Sequence, residues 1–556
     1  MAIVELQSES SVEAVKRASE RLRGNLAAEL AADAANVSAE SEQILKFHGI
    51  YSQDNRDVRR ERSLAGESLE YIFMIRVVVP GGRLTSAQWL GLDEIASSQS
   101  DGTIRLTTRQ AVQFHGVLKG SLRQLASALD EQFLSSFGAC GDVVRNVVTC
   151  PQLHIDGAHD DLANIADDLR QAFRATTEAH WEIFVNGEKA ASREDVDERP
   201  FYGDTYLPRK FKIAVAHPDE NCVDVFAQDV GLIPAVDDER GAGFVVLVGG
   251  GLGRSYAKDD TFARLAEPLA FVTRDEVQEV IAAIVTTYRD LGNRHDRSRA
   301  RMKYVVDDLG LEAFRTEVEQ RLGRTLAPVR SVPTYQGSDD HLGWREAHDG
   351  TWQLGIRVGA GRVRDEDGLS LRSALREIAL RGSETFFITA QQDILIADIA
   401  ASERGAIEAI VAAHGVKEVE QLGNVERSAL ACPALPTCSQ ALTESERRLP
   451  ELVSGLEDAL KSRSLQRRPL QLRMTGCPNG CARPALAEVG IVGRTKSTYD
   501  VYVGGGPSGT RLASIYREKV KLEDIPEVLS PLLDRWASEG EPDEAFGDFV
   551  VRVGDV

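Results

Sequence analysis

The chain has 556 residues, enough for three or four domains with a large buried core, and its formal net charge at pH 7 is −21. A surface this acidic argues against a nucleic-acid binder and repels anions at long range, so an anionic substrate would need a local basic cluster. Its longest apolar runs, such as Gly243 to Gly249, are far too short to cross a bilayer, and the N-terminus lacks a basic and then apolar leader; the expectation is a cytoplasmic protein with no membrane partner.

The first forty residues are acidic and alanine-rich and carry no motif, so residues 1–65 are expected to form a partly disordered arm. Next, Ile75-Arg-Val-Val-Val-Pro-Gly-Gly82, a helix-like stretch and Ile104 to Gly116 give a strand–helix–strand pattern by alternation and turn residues. A second copy follows much later. It runs through Leu354 to Arg362, a helix from about Leu369 to Arg381, and Thr385 to Ala397. Duplicated halves of this kind build a pseudo-symmetric core with a ligand site between them. Basic clusters are spread widely along the sequence: Arg105 with Arg109, Arg145, Arg209-Lys210-Phe211-Lys212, and Arg294 through Lys303. In an extended segment Lys210 and Lys212 face one side while Phe211 packs on the other. By the same alternation Gln113 and His115 share a face. Cys140, Cys150 and Cys222 are expected to be buried thiols, not disulfides.

A further echo links Leu247-Val-Gly-Gly-Gly-Leu-Gly-Arg254 with Val501-Tyr-Val-Gly-Gly-Gly-Pro-Ser-Gly509. The second contains a formal G-x-G-x-x-G, but Pro507 interrupts it and too little chain follows for a Rossmann half. Such glycines still let the backbone approach a ligand closely. The remaining four cysteines fall into Cys432-Pro-Ala-Leu-Pro-Thr-Cys438 and Cys477-Pro-Asn-Gly-Cys481, separated by a stretch that reads as helix from Leu442 to Lys461. Four clustered thiolates hold an iron–sulfur cluster or zinc; the C-x5-C and C-x3-C spacings favour a [4Fe–4S] cluster over the paired C-x2-C knuckles usual for zinc.

Lys46-Phe-His-Gly-Ile-Tyr51, Leu106-Thr-Thr-Arg-Gln110, Tyr206 to Lys212, Leu247 to Gly251 and Thr475 to Cys481, in this order, resemble the sirohaem-containing sulfite and nitrite reductases from about Glu42 to the end of the chain. The resemblance implies an α/β (α+β), trilobed enzyme with a pseudo-two-fold duplicated ferredoxin-like domain (66–137 plus 340–420). Two further α/β domains (138–339 and 421–556) would enclose the cofactors. It implies a [4Fe–4S] cluster on Cys432, Cys438, Cys477 and Cys481, with Cys481 shared with sirohaem and the turn at Asn479 beside the cluster. It makes Arg105 and Arg109 partners of the cofactor carboxylates, with Lys303 a further candidate, and sets Gln113 and His115 along the macrocycle. Arg76, Arg145, Lys210 and Lys212 would bind the oxyanion. The implied reaction is six-electron reduction of sulfite to sulfide, with electrons from an NADPH-dependent flavoprotein partner. The alternatives are a ferredoxin-dependent nitrite or sulfite reductase and, more remotely, a non-catalytic metal-binding scaffold.

Overall fold

The computed structural model describes residues 9–151, 160–175, 182–185, 188–192, 199–335 and 337–554. Two five-stranded antiparallel sheets form the duplicated domain. The first runs in the order Ile50–Asp54, Tyr71–Val77, Val112–Val117, Ile104–Leu106, Arg362–Val363; the second runs Gly343–Glu346, Trp352–Ile356, Ile394–Ile399, Thr385–Ile388, Arg83–Thr85. Each sheet therefore ends on a strand donated by the other half.

The donated strands follow matching turns. Pro80–Gly82 places Gly81 at φ 56°, and Gly359–Gly361 places Ala360 at φ 51°. At the first turn the glycines are required by space as well as φ: a Cβ on Gly82 would sit 2.2 Å from the Ile388 carbonyl oxygen. The helix Ser86–Gln99 then starts at a Thr85/Gln88 capping box, and its Trp89 stacks on Phe386 of the other half, with ring centroids 5.2 Å apart. Asp93, on the same helix, accepts from Arg372 Nε (2.6 Å) and Arg376 Nη1 (2.5 Å). The two copies thus share one core.

The other two sheets repeat one another as well. The third orders Val148–Thr149, Ile213–Val215, Val230–Asp237, Gly241–Val248, Glu267–Val272; the fourth orders Leu430–Ala431, Leu472–Thr475, Val489–Gly493, Thr498–Val503, Ser514–Lys521. In both, the first two pairings are parallel and the last two antiparallel. The glycine runs 249–251 and 504–506 follow equivalent fourth strands, which accounts for the echo in the sequence.

Two expectations change. The N-terminal segment is folded from Ser11: three helices (Ser11–Ala18, Leu26–Ala31, Ala39–Leu45) lead into the edge strand Ile50–Asp54 of the first sheet. Its apolar residues Leu22, Leu26, Ile44, Leu45 and Phe47 enter the main core. Glu13 and Lys16 are buried with it in an ion-pair network with Asp142 and Arg294, so an acidic composition here reflects pairing, not disorder. The helix between the cysteine pairs begins at Leu449, with Pro450 in its first turn, and not at Leu442. The preceding residues are held elsewhere: Leu442 and Thr443 donate to the Gly476 carbonyl, and Ser445 Oγ donates to that of Met474. Among the described residues no helix is long and apolar enough to cross a membrane.

Because Phe386 is fully buried against Trp89 across the two copies, Phe386→Ala is expected to destabilise the duplicated domain by about 3–5 kcal/mol, read from the urea midpoint.

Candidate functional site

A transverse row of polar side chains crosses the first sheet. Strand register places Arg76 opposite Gln113, Gln113 opposite Arg105, and Arg105 opposite Arg362. With its amide oxygen turned toward Arg76, Gln113 accepts from Arg76 Nη2 at 2.6 Å and Nε at 3.2 Å. Arg76 Nη1 also contacts Cys140 Sγ at 2.9 Å. His115, on the same face as Gln113, is fully buried, and neither ring nitrogen has a hydrogen-bond partner. Burial, then the charges of Arg362, Arg105 and Arg76, push its basicity well below the ordinary histidine range, so it is neutral.

Arg145, Lys210 and Lys212 come together because Val144 and Phe211 pair as a parallel bridge, with Arg145 N donating to the Phe211 carbonyl at 2.8 Å. Phe211 is buried and the two lysines flank it, as the alternation predicts. Arg145 is fixed by carbonyls: Nε and Nη2 donate to Gly141 at 2.9 and 2.6 Å, and Nη1 to Ala139 at 3.1 Å. Among the described residues neither lysine ammonium has a carboxylate within ion-pair distance. Burial first, then Arg301 and Arg209, bring Lys210 down to about 7. Burial and then Arg109 and Lys210 also lower Lys212 well below the ordinary lysine range. The nearby carboxylate Asp229 is already committed, to Arg301 Nη2 (2.9 and 2.8 Å) and to the Lys212 backbone N–H (2.9 Å).

The four C-terminal cysteines lie on two loops that clasp each other. Gly476 N donates to Cys432 Sγ at 3.3 Å, Cys438 N to the Ala434 carbonyl at 2.9 Å, and Arg56 of the N-terminal segment ties down the carbonyls of Cys438 (3.0 Å) and Ala441 (2.7 Å). Burial, then repulsion from Cys481, raises the thiols of Cys432 and Cys438, and that of Cys477 to about 12. Such thiols become ligands when a metal replaces their protons. Their C-x5-C and C-x3-C spacings suit a cubane cluster better than the paired C-x2-C knuckles usual for zinc.

Cys481 is the exposed member of the four, and it lies within electrostatic range of Arg76, Arg105 and Lys210. The 106–110 loop docks directly on it: Thr108 Oγ1 donates to the Cys481 carbonyl at 3.0 Å, and Arg483 Nη1 to that of Thr108 at 3.1 Å. The glycine loop after Val248 arrives from another side, with Arg254 N donating to the Pro478 carbonyl at 3.0 Å. Gly253 there has no room for a side chain to grow toward Asn479, whose carbonyl would be 3.1 Å from its Cβ. A thiol in reach of this many cations, with an unpartnered buried imidazole nearby, fits an anionic tetrapyrrole bound at Cys481.

The residues expected at the cofactor carboxylates also bond to the protein. Arg105 lies with Nε 2.9 Å from Glu446 and donates through Nη2 to the carbonyls of Ala360 and Ala431, both at 2.9 Å. It therefore braces the residue before Cys432. Lys303, fully buried, donates to the carbonyls of Gly251 (3.1 Å), Gly253 (2.8 Å) and Phe262, so it pins the glycine loop. Arg109 bonds the Ile213 carbonyl and Gln228 Oε1. Buried arginines and lysines take the acceptors that folding supplies, and strand spacing alone does not reveal which. Sequence reasoning missed Arg483, Asp224 and Tyr51. Asp224 pairs with Arg473 Nη1 (2.7 Å) and with Arg483, and Tyr51 lies among Cys140, Arg145 and Arg76, its phenol raised to about 12 mainly by burial.

The chain is similar to known proteins over nearly its whole length. The family description "Nitrite and sulphite reductase 4Fe-4S domain" matches residues 140–326 and 422–555, and "Nitrite/Sulfite reductase ferredoxin-like half domain" matches residues 66–132. The chain is 43% identical to the sulfite reductase [NADPH] hemoprotein beta-component of Geobacillus thermodenitrificans, over 98% of this chain and 96% of that protein. It is likewise 43% identical to the protein of that name from Myxococcus xanthus, over 98% and 97%. The solved structure of Mycobacterium tuberculosis NirA shares the fold, with a TM-score of 0.79 at 24% identity, covering 100% of this chain and 98% of that one. With four cysteines on two clasped loops, a duplicated ferredoxin-like domain and relatives alike over nearly their whole length, the chain belongs to the nitrite and sulphite reductase family.

Proposed function

We propose that the protein is the haemoprotein component of an assimilatory sulfite reductase, which takes electrons from an NADPH-dependent flavoprotein and reduces sulfite to sulfide in the cytoplasm. The observation that carries this reading is the convergence of Arg76, Arg145, Lys210 and Lys212 from three separate segments, with the two lysines lacking carboxylate partners among the described residues. The names of the full-length relatives supply sulfite as substrate and NADPH as the electron source. Nitrite, delivered electrons by ferredoxin, is the second reading, since it presents a similar anion to the same cations.

When bound, the cluster and sirohaem supply electrons singly and an iron at which the substrate's central atom is reduced. Cys432, Cys438, Cys477 and Cys481 would hold the cluster, and Cys481 would also serve the haem. The chain itself must bind an oxyanion and deliver protons as its oxygens leave as water. Arg145, clamped by three carbonyl bonds, and Arg76, clamped by Gln113, serve as fixed charges for the anion. The lysines suit proton donation. Lys210 titrates at about 7, so its charged form gives up a proton readily and the neutral amine is restored from solvent. Asp229 keeps the Lys212 backbone in place without neutralising its ammonium.

Cys481→Ser is expected to lose cluster iron, acid-labile sulfide and turnover together; retained turnover without iron would rule out the cluster assignment. Lys212→Ala should keep the absorption spectrum of the loaded protein and lower kcat by about a hundredfold. Lys210 is charged below about 7 and loses that charge as pH rises through 7, so activity should fall across this window. In Lys210→Arg the guanidinium keeps its charge but does not yield its proton, so kcat should drop and the fall through 7 should be lost. Substrate titration is common to both proteins, so the difference between their kcat/KM profiles measures the lysine, and coincident profiles would remove it from proton delivery.

A further inference from the structure

The internal repeat of the third and fourth sheets can be followed residue by residue. Ile213 pairs with Val230 in one sheet as Leu472 pairs with Val489 in the other. From these anchors Cys222 and Cys481 stand the same number of residues along the chain. Each precedes by two positions a residue in the left-handed region, Asp224 (φ 48°) or Arg483 (φ 58°), that opens a short 3-10 turn. The first strands match too: Cys150 directly follows Val148–Thr149, and Cys432 directly follows Leu430–Ala431. Two of the four cluster cysteines therefore have cysteine counterparts in the other half, although the proposed reaction makes no use of them.

These counterparts are part of a ligand set. The donor atoms of Cys150, Glu220, Cys222 and His341 all lie within 4.8 Å of one another. His341 is fully buried, Cys150 and Cys222 are each 1% exposed, and the Glu220 side chain is 13% exposed. Three chain segments far apart in sequence supply them. The His341 Nε2 atom faces Glu220 Oε1 at 3.5 Å and Cys150 Sγ at 3.9 Å, while its Nδ1 has no hydrogen bond and lies 3.8 Å from Asp339 Oδ2. A carboxylate behind the far nitrogen is the arrangement that orients metal-bound histidines. Glu220 is held by the Cys222 backbone N–H, which donates to Oε2 at 2.8 Å. Around the four polar groups pack Val148, Ala214, Ala216, Val223 and Tyr335, an apolar shell.

We propose that Cys150, Glu220, Cys222 and His341 bind one zinc ion, a structural site standing where the other half carries its cluster. Four protein donors of mixed sulfur, nitrogen and oxygen type, closed off from solvent, satisfy a tetrahedral zinc and leave no position for substrate. On binding, the two thiols become thiolates and the His341 imidazolium becomes neutral, all three protons going to solvent; no electron is exchanged. These donors are close enough for a single ion and too close to enclose a cubane. The site would tie His341, which leads into the edge strand Gly343–Glu346 of the second sheet, to two loops of the third. It would also steady Asp224, two residues beyond Cys222, and through it Arg473 and Arg483 beside the cluster loop.

The test is metal analysis of the full-length protein produced with sirohaem synthesis and zinc in the medium, with zinc, iron and acid-labile sulfide measured on each sample. About one zinc per chain is expected, with two sulfur ligands at about 2.3 Å and two nitrogen or oxygen ligands at about 2.0–2.2 Å by X-ray absorption at the zinc edge. Cys222→Ser and His341→Ala should each lower zinc at least tenfold while the ratio of iron to acid-labile sulfide stays that of the unmodified protein. Should both variants fail to fold, the X-ray absorption result on the unmodified protein decides. Absence of zinc there, a zinc shell without sulfur, zinc retained in both variants, loss of iron in place of zinc, or a Cys150–Cys222 disulfide found by mass spectrometry under reductant-free isolation would each overturn the assignment.

Discussion

Positive charge must be kept out of bulk water, crowded together and left largely unneutralised around Cys481, and this constraint organises the molecule. Cations in such a place repel one another and lose hydration, and the burial-driven lowering of Lys210 and Lys212 records that cost. The fold meets it mostly with main-chain oxygen. Arg145 is held by Gly141 and Ala139, Lys303 by Gly251, Gly253 and Phe262, and Arg109 in part by Ile213. Carbonyl dipoles stabilise a cation without cancelling its charge, so the field remains available to an anion. Carboxylates are used sparingly: Asp229 holds Arg301, Asp224 holds Arg473 and Arg483, and Glu446 holds Arg105 and Arg362.

The same economy explains the four-sheet construction. No single sheet face supplies enough cations, so the site collects Arg76 from the first sheet, Arg145 and the lysines from beside the third, and the cysteines from the fourth. Loops from these bodies meet through backbone contacts at the cluster turn: Thr108 on Cys481 and Arg254 on Pro478. Glycines at 250 and 253 permit the approach, since Cβ atoms there would meet the carbonyls of Gln228, Phe226 and Asn479.

Much of this was legible in the sequence because it depends on local order. Alternation and glycine turns exposed the duplicated strand–helix–strand units, and the flanking of Phe211 by two lysines fixed their common side. The cysteine spacing pointed to a cluster, and resemblance to a family supplied roles for residues whose positions alone say little. What stayed hidden depends on long-range pairing. The N-terminal segment looked like an arm because Glu13 and Lys16 read as solvent-facing charges until Asp142 and Arg294 are brought beside them. The protein acceptors of Arg105 and Lys303, Glu446 and the glycine-loop carbonyls, come from distant stretches that strand spacing does not reveal. Cys150 and Cys222 read as incidental thiols because His341 reaches them only after the second sheet is in place.

The exchange of edge strands between the two halves of the duplicated domain also bears on how the protein comes into being. The sheet begun by Ile50–Asp54 is complete only when Arg362–Val363 has been synthesised, and Arg83–Thr85 has no partner until Thr385–Ile388 emerges. Contacts this distant along the chain make folding slow, and they commit the two halves to finish together. Neither copy is therefore an independent module, and a fragment ending before the second copy would expose an unpaired sheet edge to aggregation. The interlock ties the two halves into one folding event, and all of its strands are synthesised before Cys477 and Cys481.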